Sequence, residues 1–153
     1  MNIDEMLARE AIRYTMAIYN NEGDRGRLEG LASAFMPDGV LETSADEPYI
    51  GREAIVKGLS AGVQSRRSTG AELGVKPLVR HHLTTCRIDL VSPTEATSFT
   101  YFFVVTNVGP DHNGTYADKW VKSGDRWLIA HRKVTINWHT PNSTMLGDPS
   151  TND

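Results

Sequence analysis

The sequence predicts an α+β fold, in which amino-terminal helices cover one face of a single curved antiparallel sheet and the two layers form a cone around a small-molecule pocket. Two observations support this prediction. Apolar residues recur with helical spacing in the first third of the chain, and beyond residue 77 the chain is rich in β-branched and aromatic residues separated by turn signals. Because a sheet with one apolar face must cover it, helices that precede a strand meander are expected to pack there.

Three helices are predicted. The first is amphipathic and runs to about residue 21, with apolar positions at Ile3, Leu7, Ala11, Tyr14 and Ile18. Gly23 is expected to break it, and Asp24 then stands where it can cap a second helix that carries apolar residues as far as Phe35 and stops at residues 37–39. After a short extended piece, residues 40–43, a third helix opens at Gly51 and directs Ile55 and Leu59 toward the core.

Four consecutive antiparallel strands are predicted to follow, at residues 78–91, 96–108, 114–122 and 126–138. Turn chemistry separates them at residues 92–93, 109–111 and 123–125. Together with the helices they form one domain, residues 1–139. The polar segment 140–153 is predicted to be a tail that is loose or is borrowed by a neighbouring subunit.

Composition excludes several classes of protein. Sixteen Lys and Arg against 19 Asp and Glu give a net charge of -3, which argues against nucleic acid as a partner. Cys86 is the single cysteine, so there is no internal disulfide framework. No apolar run is long enough to span a membrane, and the first residues lack the layout of a secretory signal. These features favour a cytoplasmic protein, and the pocket expected between helices and sheet favours a small-molecule partner.

One charged side chain is predicted to lie on the core face of the last strand. Arg132 has the same parity there as the apolar residues Leu128, Ala130, Val134, Ile136 and Trp138. A three-residue turn at 123–125 would place Tyr116, Asp118 and Trp120 on that face, with Asp118 diagonal to Arg132. A buried carboxylate and guanidinium would then meet, either as a structural ion pair or as a substrate-orienting pair.

Adjacent histidines in the first long strand present a choice, because alternation directs one inward and the other outward unless a bulge intervenes. Parity with Ile88 and Leu90 favours His82, whereas parity with Val79 and Leu83 favours His81. The inward histidine is either a hydrogen-bonded core residue or a general base. No metal site is predicted, since adjacent strand residues cannot both face one ion and the other histidines lack suitable spacing.

Two helix-end residues could complete a proton-transfer site. The carboxylate of Asp24 either caps the second helix or holds the inward histidine in one tautomer, which would make it a better base. The hydroxyl of Tyr19 could donate to a developing oxyanion, although packing at a helix end explains this residue equally well.

The order of these features resembles the SnoaL-like branch of the nuclear transport factor 2-like superfamily. The segments that carry the resemblance are residues 11–14 with Tyr19 and Asp24, then residues 35–40, 51–55, 80–85, 114–118 and 124–132. The resemblance implies a cone-shaped α+β barrel that assembles as a homodimer or homotrimer. It also implies cofactor-free lyase chemistry similar to that of scytalone dehydratases, bile-acid 7α-dehydratases and hexachlorocyclohexane dehydrochlorinases. Exposed Trp127 and the strand-rich surface likewise suggest self-association.

Specific residues match the branch's functional positions. Asp24 and His81 match its proton-abstracting dyad, Tyr19 its helix-end tyrosine and Arg132 its cavity arginine. Thr85 stands where the family often has asparagine, which leaves the choice between the two histidines open. The remaining pocket residues are expected to be His82, Asp118 and Tyr116, with an aromatic wall of Phe99, Tyr101, Phe102 and Trp120.

The expected function is a dehydratase-like lyase, without cofactor or metal, that abstracts a carbon-bound proton from a small cyclic or polyketide-like substrate. An isomerase would begin with the same step. A non-catalytic module that binds a small ligand is the other alternative.

Overall fold

The computed structural model describes residues 1–146, which form three helices and six strands. The helices are α1 (Ile3–Asp24), α2 (Leu28–Ala32) and α3 (Arg52–Glu72). The strands are β1 (Phe35–Glu42), β2 (Tyr49–Ile50), β3 (Val79–Leu90), β4 (Glu95–Thr106), β5 (Gly109–Ser123) and β6 (Arg126–His139). None of these helices is long and apolar enough to cross a membrane.

The six strands form one curved sheet in the order β2-β1-β6-β5-β4-β3. Strands β3 to β6 are an antiparallel meander, while β1 runs parallel to β6 and turns back through β2. The helices lie on one face, where α1 contacts β3 and β6 and α3 contacts β1. The predicted α+β cone is therefore confirmed, but the parallel pairing of β1 with β6 makes the sheet mixed and not wholly antiparallel as predicted.

Strict alternation along β4 shows which face of the sheet is covered. Every second residue is buried, namely Ala96, Ser98, Thr100, Phe102, Val104 and Thr106. Phe99 and Tyr101 point the other way and are 43% and 50% exposed, so the prediction that they line the pocket is wrong. Phe102 does face inward, as its parity requires.

Glycine does not end the first helix. α1 continues through Gly23 to Asp24. A Cβ atom at Gly23 would lie 2.9 Å from a methyl group of Leu31 on α2. Gly23 therefore permits close packing of the two helices instead of breaking one. Asp24 does not cap α2, whose N-cap is Arg27 without a side-chain hydrogen bond.

Two further element boundaries differ from prediction. Phe35 begins β1, and residues 36–39 form an irregularity in that strand that accommodates Pro37 instead of ending a helix. β5 begins at Gly109, so the connection from β4 is the pair Asn107 and Val108.

Extra residues in β6 reverse the predicted exposure of two tryptophans. Ala130 and Asn137 each stand at a shift in the register with β5, and each shift changes the face to which the neighbouring residues point. Trp127 is consequently buried, at 3% exposure, and its carbonyl accepts a hydrogen bond from Thr15. Trp138, predicted on the core face, is 50% exposed.

The start of the predicted tail packs on the sheet. The backbone N–H of Thr140 donates to the carbonyl of Asp111, and the segment 140–146 lies beside the beginning of β5. The rest of the predicted tail, residues 147–153, lies outside the described residues.

Candidate active site

A cavity of about 220 Å³ lies between the helices and β3. Its polar lining comes from Tyr19 and Asn20 at the end of α1, Arg66 on α3 and His81 on β3. Apolar side chains complete the wall, namely Leu28, Leu31, Leu59, Val63, Val79 and Met145. A small apolar cavity with a few convergent polar groups is the usual form of a small-molecule site.

Asp24 holds His81 through two hydrogen bonds. Oδ1 lies 2.5 Å from the ring Nδ1, and Oδ2 accepts the backbone N–H of His81 at 3.0 Å. Since a carboxylate can only accept, the ring proton resides on Nδ1, and the lone pair of Nε2 is left free. The side chains of Asp24 and His81 are only 9% and 18% exposed. The pair is a base-and-orienter arrangement at the cavity wall.

A bulge in β3 explains why parity gave two answers for the histidines. The register with β4 shifts between Leu83 and Cys86, so residues on both sides of the bulge face inward although their parity differs. His81 therefore shares its face with both Val79 and Ile88. His82 points outward and stacks on Phe103 with ring centroids 4.6 Å apart, so the structure does not bring it into the cavity.

Asp118 and Arg132 form a fully buried, bidentate ion pair. Nε and Nη2 of Arg132 each donate to an oxygen of Asp118 at 2.8 Å, and both side chains are 0% exposed. The two residues are directly opposite in the β5–β6 ladder, not diagonal as predicted. The turn has two residues, which pairs Ser123 with Arg126, and the shift at Ala130 then brings Arg132 into line.

Arg132 also lies between two tyrosine rings. Its guanidinium carbon is 4.3 Å from the ring centre of Tyr19 and 4.1 Å from that of Tyr116. Burial raises the pKa of Tyr19, and the positive charge of Arg132 opposes this rise. Burial lowers the pKa of Arg132, but the adjacent Asp118 outweighs it and the net direction is upward. Nη1 of Arg132 has no acceptor among residues 1–146, so both of its N–H donors are uncommitted.

The predicted site residues therefore fall into two layers. Tyr19 and His81 line the cavity and Asp24 lies directly behind His81. The second layer is buried and does not line the cavity: Arg132, Asp118, Tyr116, Trp120 and Phe102. Phe102 stacks on Tyr116 at 4.4 Å, and Trp120 donates to Ser98, which in turn donates to Asp118. This layer supports Tyr19 from below.

Sequence reasoning missed a second carboxylate–histidine pair. Asp111 is fully buried and lies 2.7 Å from Nδ1 of His112, whose ring centre is 6.4 Å from that of His81. Asp111 also accepts hydrogen bonds from Thr106, Ser143 and the backbone and hydroxyl of Thr144. These contacts anchor the segment that carries Met145 into the cavity wall.

The Asp111 anchor has a distinct protonation behaviour. Burial raises the pKa of its carboxyl, but hydrogen bonds from Ser143, His112 and Thr144 outweigh that effect and lower it from 3.8 to about 2. A group whose pKa is lower in the folded state stabilises the protein above its unfolded pKa. The contribution of Asp111 is therefore complete above about pH 4 and is lost as the pH falls toward 2.

Replacing Asp111 by asparagine is expected to lower the free energy of unfolding by about 2–3 kcal/mol at pH 7, since the amide cannot accept from all of these donors. Urea unfolding measures the loss, and hydrogen exchange should increase at residues 140–146. Asp89→Asn, which removes an exposed carboxylate on β3, serves as the control. Equal unfolding midpoints for Asp111→Asn and wild type would contradict an anchoring role.

No group of three or more His, Cys, Asp or Glu side chains within residues 1–146 is arranged to hold a metal ion.

Comparison with known proteins identifies relatives along nearly the whole chain. A family model described as a SnoaL-like domain matches residues 4–133. No curated protein matches the sequence at a significant level.

Solved structures reproduce the fold. A scytalone dehydratase-like protein from Novosphingobium aromaticivorans is 23% identical over all of this chain and 99% of its own, with a TM-score of 0.77. A hexachlorocyclohexane dehydrochlorinase from Novosphingobium barchaimii is 16% identical over 92% of this chain and 93% of its own, with a TM-score of 0.73. A Catenulispora acidiphila protein in complex with S-DNPA is 27% identical over 84% of this chain and 92% of its own, with a TM-score of 0.70.

Proposed function

Since this chain belongs to the SnoaL-like domain family, we propose that it is a cofactor-independent lyase of the dehydratase type that acts on a small cyclic or polyketide-like carbonyl compound. One observation carries the proposal: a histidine on the cavity wall is held by a largely buried carboxylate through Nδ1, with Nε2 left as a base. The ligand-bound Catenulispora relative supports a small molecule as the partner.

The first step is removal of a proton from the carbon beside the substrate carbonyl. Nε2 of His81 accepts the proton, and the electrons of the C–H bond form an enolate. The carboxylate of Asp24 stabilises the resulting imidazolium. The hydroxyl of Tyr19 donates a hydrogen bond to the enolate oxygen, where negative charge develops.

The second step expels the leaving group. The enolate electrons return to form the carbon–carbon double bond, and a hydroxyl group on the neighbouring carbon departs with the proton held by His81, as water. Arg132 acts as a positioning residue, since it stacks on Tyr19 and brings a positive charge within 4.3 Å of its ring. If the imidazolium instead returned its proton to a different carbon, the same residues would catalyse an isomerisation.

Exposed aromatic side chains on the outer face of the sheet support self-association into a dimer or trimer. They are Phe99, Tyr101, Phe103 and Trp138, each between 39% and 50% exposed.

The test of this function is hydrogen–deuterium exchange in deuterated water with a panel of cyclic ketones and hydroxy-ketones, followed by mass spectrometry and NMR. Loss of water identifies a lyase, and a moved double bond identifies an isomerase. Tight binding of panel members without exchange or turnover would contradict both and favour a binding module.

Tyr19→Phe is expected to lower the exchange rate by about a hundredfold, because it removes one hydrogen-bond donor to the developing oxyanion. The ring and its stacking on Arg132 are retained, so the free energy of unfolding should hardly change. The matched control is Tyr14→Phe on the same helix, whose side chain is exposed. An unchanged exchange rate in Tyr19→Phe would remove Tyr19 from the mechanism.

A further inference from the structure

A second cavity, of about 520 Å³, adjoins the active-site cavity and shares Val63, Arg66 and Val79 with it. Asp24 lies in the wall of this second cavity, whereas His81 lies in the wall of the first. The proton-transfer pair therefore stands at the junction of the two spaces. We call the second one the basic groove, because its lining includes Arg25, Arg66, Arg67, Lys76 and Arg80.

The charge in the basic groove is concentrated and largely uncompensated. The groove brings together five cationic side chains in a chain whose net charge is -3, and its one carboxylate, Asp24, is already engaged with His81. Among residues 1–146, Arg25 is the one member of the five that pairs with a carboxylate, that of Glu22 at 3.9 Å. The other four make no ion pair within that part of the chain.

The dipole of α3 does not account for this arrangement. The dipole of α3 favours cations in its last turn, but Arg66 and Arg67 precede that turn and the helix has no basic residue in it. The pKa of Arg66 is lowered, mainly by burial. The negative charge of Asp24 raises this pKa, and the positive charge of Arg67 lowers it further. Two neighbouring guanidinium groups, one of them half-buried, thus repel each other beside the active site, and an anion would relieve that repulsion.

We propose that the basic groove binds an anionic group of the substrate, a carboxylate or a phosphate, while the reacting carbon lies at His81. Arg66 lines both cavities and is therefore placed to contact the part of the substrate that extends from one cavity into the other. Guanidinium groups suit this role because they bind carboxylates and phosphates through paired hydrogen bonds. The location of the reacting carbon rests on the proposed function, whereas anion binding can be tested without it.

The experiment compares three aromatic probes of the same ring size: neutral 2-naphthol, 6-hydroxy-2-naphthoic acid and 2-naphthyl phosphate. Isothermal titration calorimetry measures their affinities at low and high sodium chloride. We expect the two anions to bind about ten- to a hundredfold more tightly than 2-naphthol, because hydrogen bonds between charged groups are the strong ones. This preference should shrink as salt screens the groove. Tighter binding of the carboxylate points to a free acid as substrate, and tighter binding of the phosphate points to a phosphorylated conjugate.

Variants identify the residues that produce the preference for anionic probes. Arg66→Gln should remove most of the preference for the anions, which is measured as the ratio of their affinities to that of 2-naphthol in the same variant. Because Arg66 is half-buried, the double variant Arg67→Gln/Lys76→Gln, at two exposed positions, repeats the test if Arg66→Gln unfolds. Lys57→Gln removes a charge from an exposed position of α3 outside the groove and should keep the full preference.

Equal affinities for neutral and anionic probes, no binding of any probe, or an anion preference that survives in the groove variants would each overturn the proposal. Failure of the proposed function is a separate result, since it appears as absent proton exchange while the anion preference and its loss in Arg66→Gln remain.

Discussion

Replacing His81 by alanine is expected to reduce substrate proton exchange by about two to four powers of ten, the usual contribution of a positioned general base. The variant removes Nε2, the group that accepts the proton, and leaves the remaining cavity lining in place. Asp24 keeps its hydrogen bond from the backbone N–H of residue 81, so the fold should persist. The measurement is the exchange rate at saturating substrate, with circular dichroism to verify folding.

Two further variants test whether the rate depends on the tautomer of His81 and on the position of the histidine, and not only on the presence of a histidine. In Asp24→Asn the amide can donate to Nδ1, which would shift the ring proton to Nε2 and remove the lone pair from the cavity. A rate loss similar to that of His81→Ala is therefore expected. His82→Ala is the control, since its ring stacks on Phe103 on the outer face, and its rate should equal that of wild type. Full activity in His81→Ala, or loss in His82→Ala alone, would refute this assignment.

The choice between the two histidines shows a limit of predicting side-chain direction from alternation along a strand. Alternation placed one histidine inward but could not say which, because the strand contains an extra residue and its two halves predict opposite answers. The bulge between Leu83 and Cys86 satisfies both halves at once. Nothing in Thr84 or Thr85 marks this position, since bulges are determined by pairing with the neighbouring strand. The resemblance to a known family, not periodicity, indicated His81.

The β5–β6 ladder gives the complementary result. The sequence predicted that Asp118 and Arg132 meet on the core face, and they do, because a charged pair on an apolar face has few other partners. The prediction assumed a three-residue turn, but the turn has two residues, which changes the register of the ladder. The register shift at Ala130 then brings Arg132 opposite Asp118. Trp127 and Trp138 had no such constraint, and both were placed on the wrong face.

The features that sequence reasoning missed depend on contacts between residues far apart in the chain. Asp111 was interpreted as part of a turn, yet it anchors Ser143 and Thr144, more than thirty positions further along the chain. The basic groove likewise combines residues from the end of α1, from α3 and from the start of β3. Local pattern cannot show that these segments converge, because their proximity arises from the way the helices pack over the sheet.

Replacing Arg132 by methionine is expected to lower the free energy of unfolding by about 3–5 kcal/mol, because the carboxylate of Asp118 would remain buried without its counter-ion. For a chain of this length that corresponds to a fall in Tm of roughly 6–20 °C. Thermal unfolding followed by circular dichroism measures it. The adjacent substitution Lys133→Met provides the control, since Lys133 pairs with Glu42 on the surface and its loss should change Tm very little.

The double variant Arg132→Met/Asp118→Asn then distinguishes two contributions to the free energy of unfolding: the destabilisation caused by an unpaired buried charge and the net stabilisation by the ion pair. Removing both charges should restore most of the lost stability, since an uncharged amide can still accept from Ser98. If Arg132 also positions Tyr19, the restored protein will still exchange substrate protons slowly, because nothing then replaces the cation beneath the tyrosine ring. Recovery of both stability and rate would instead mean that the ion pair serves the fold alone.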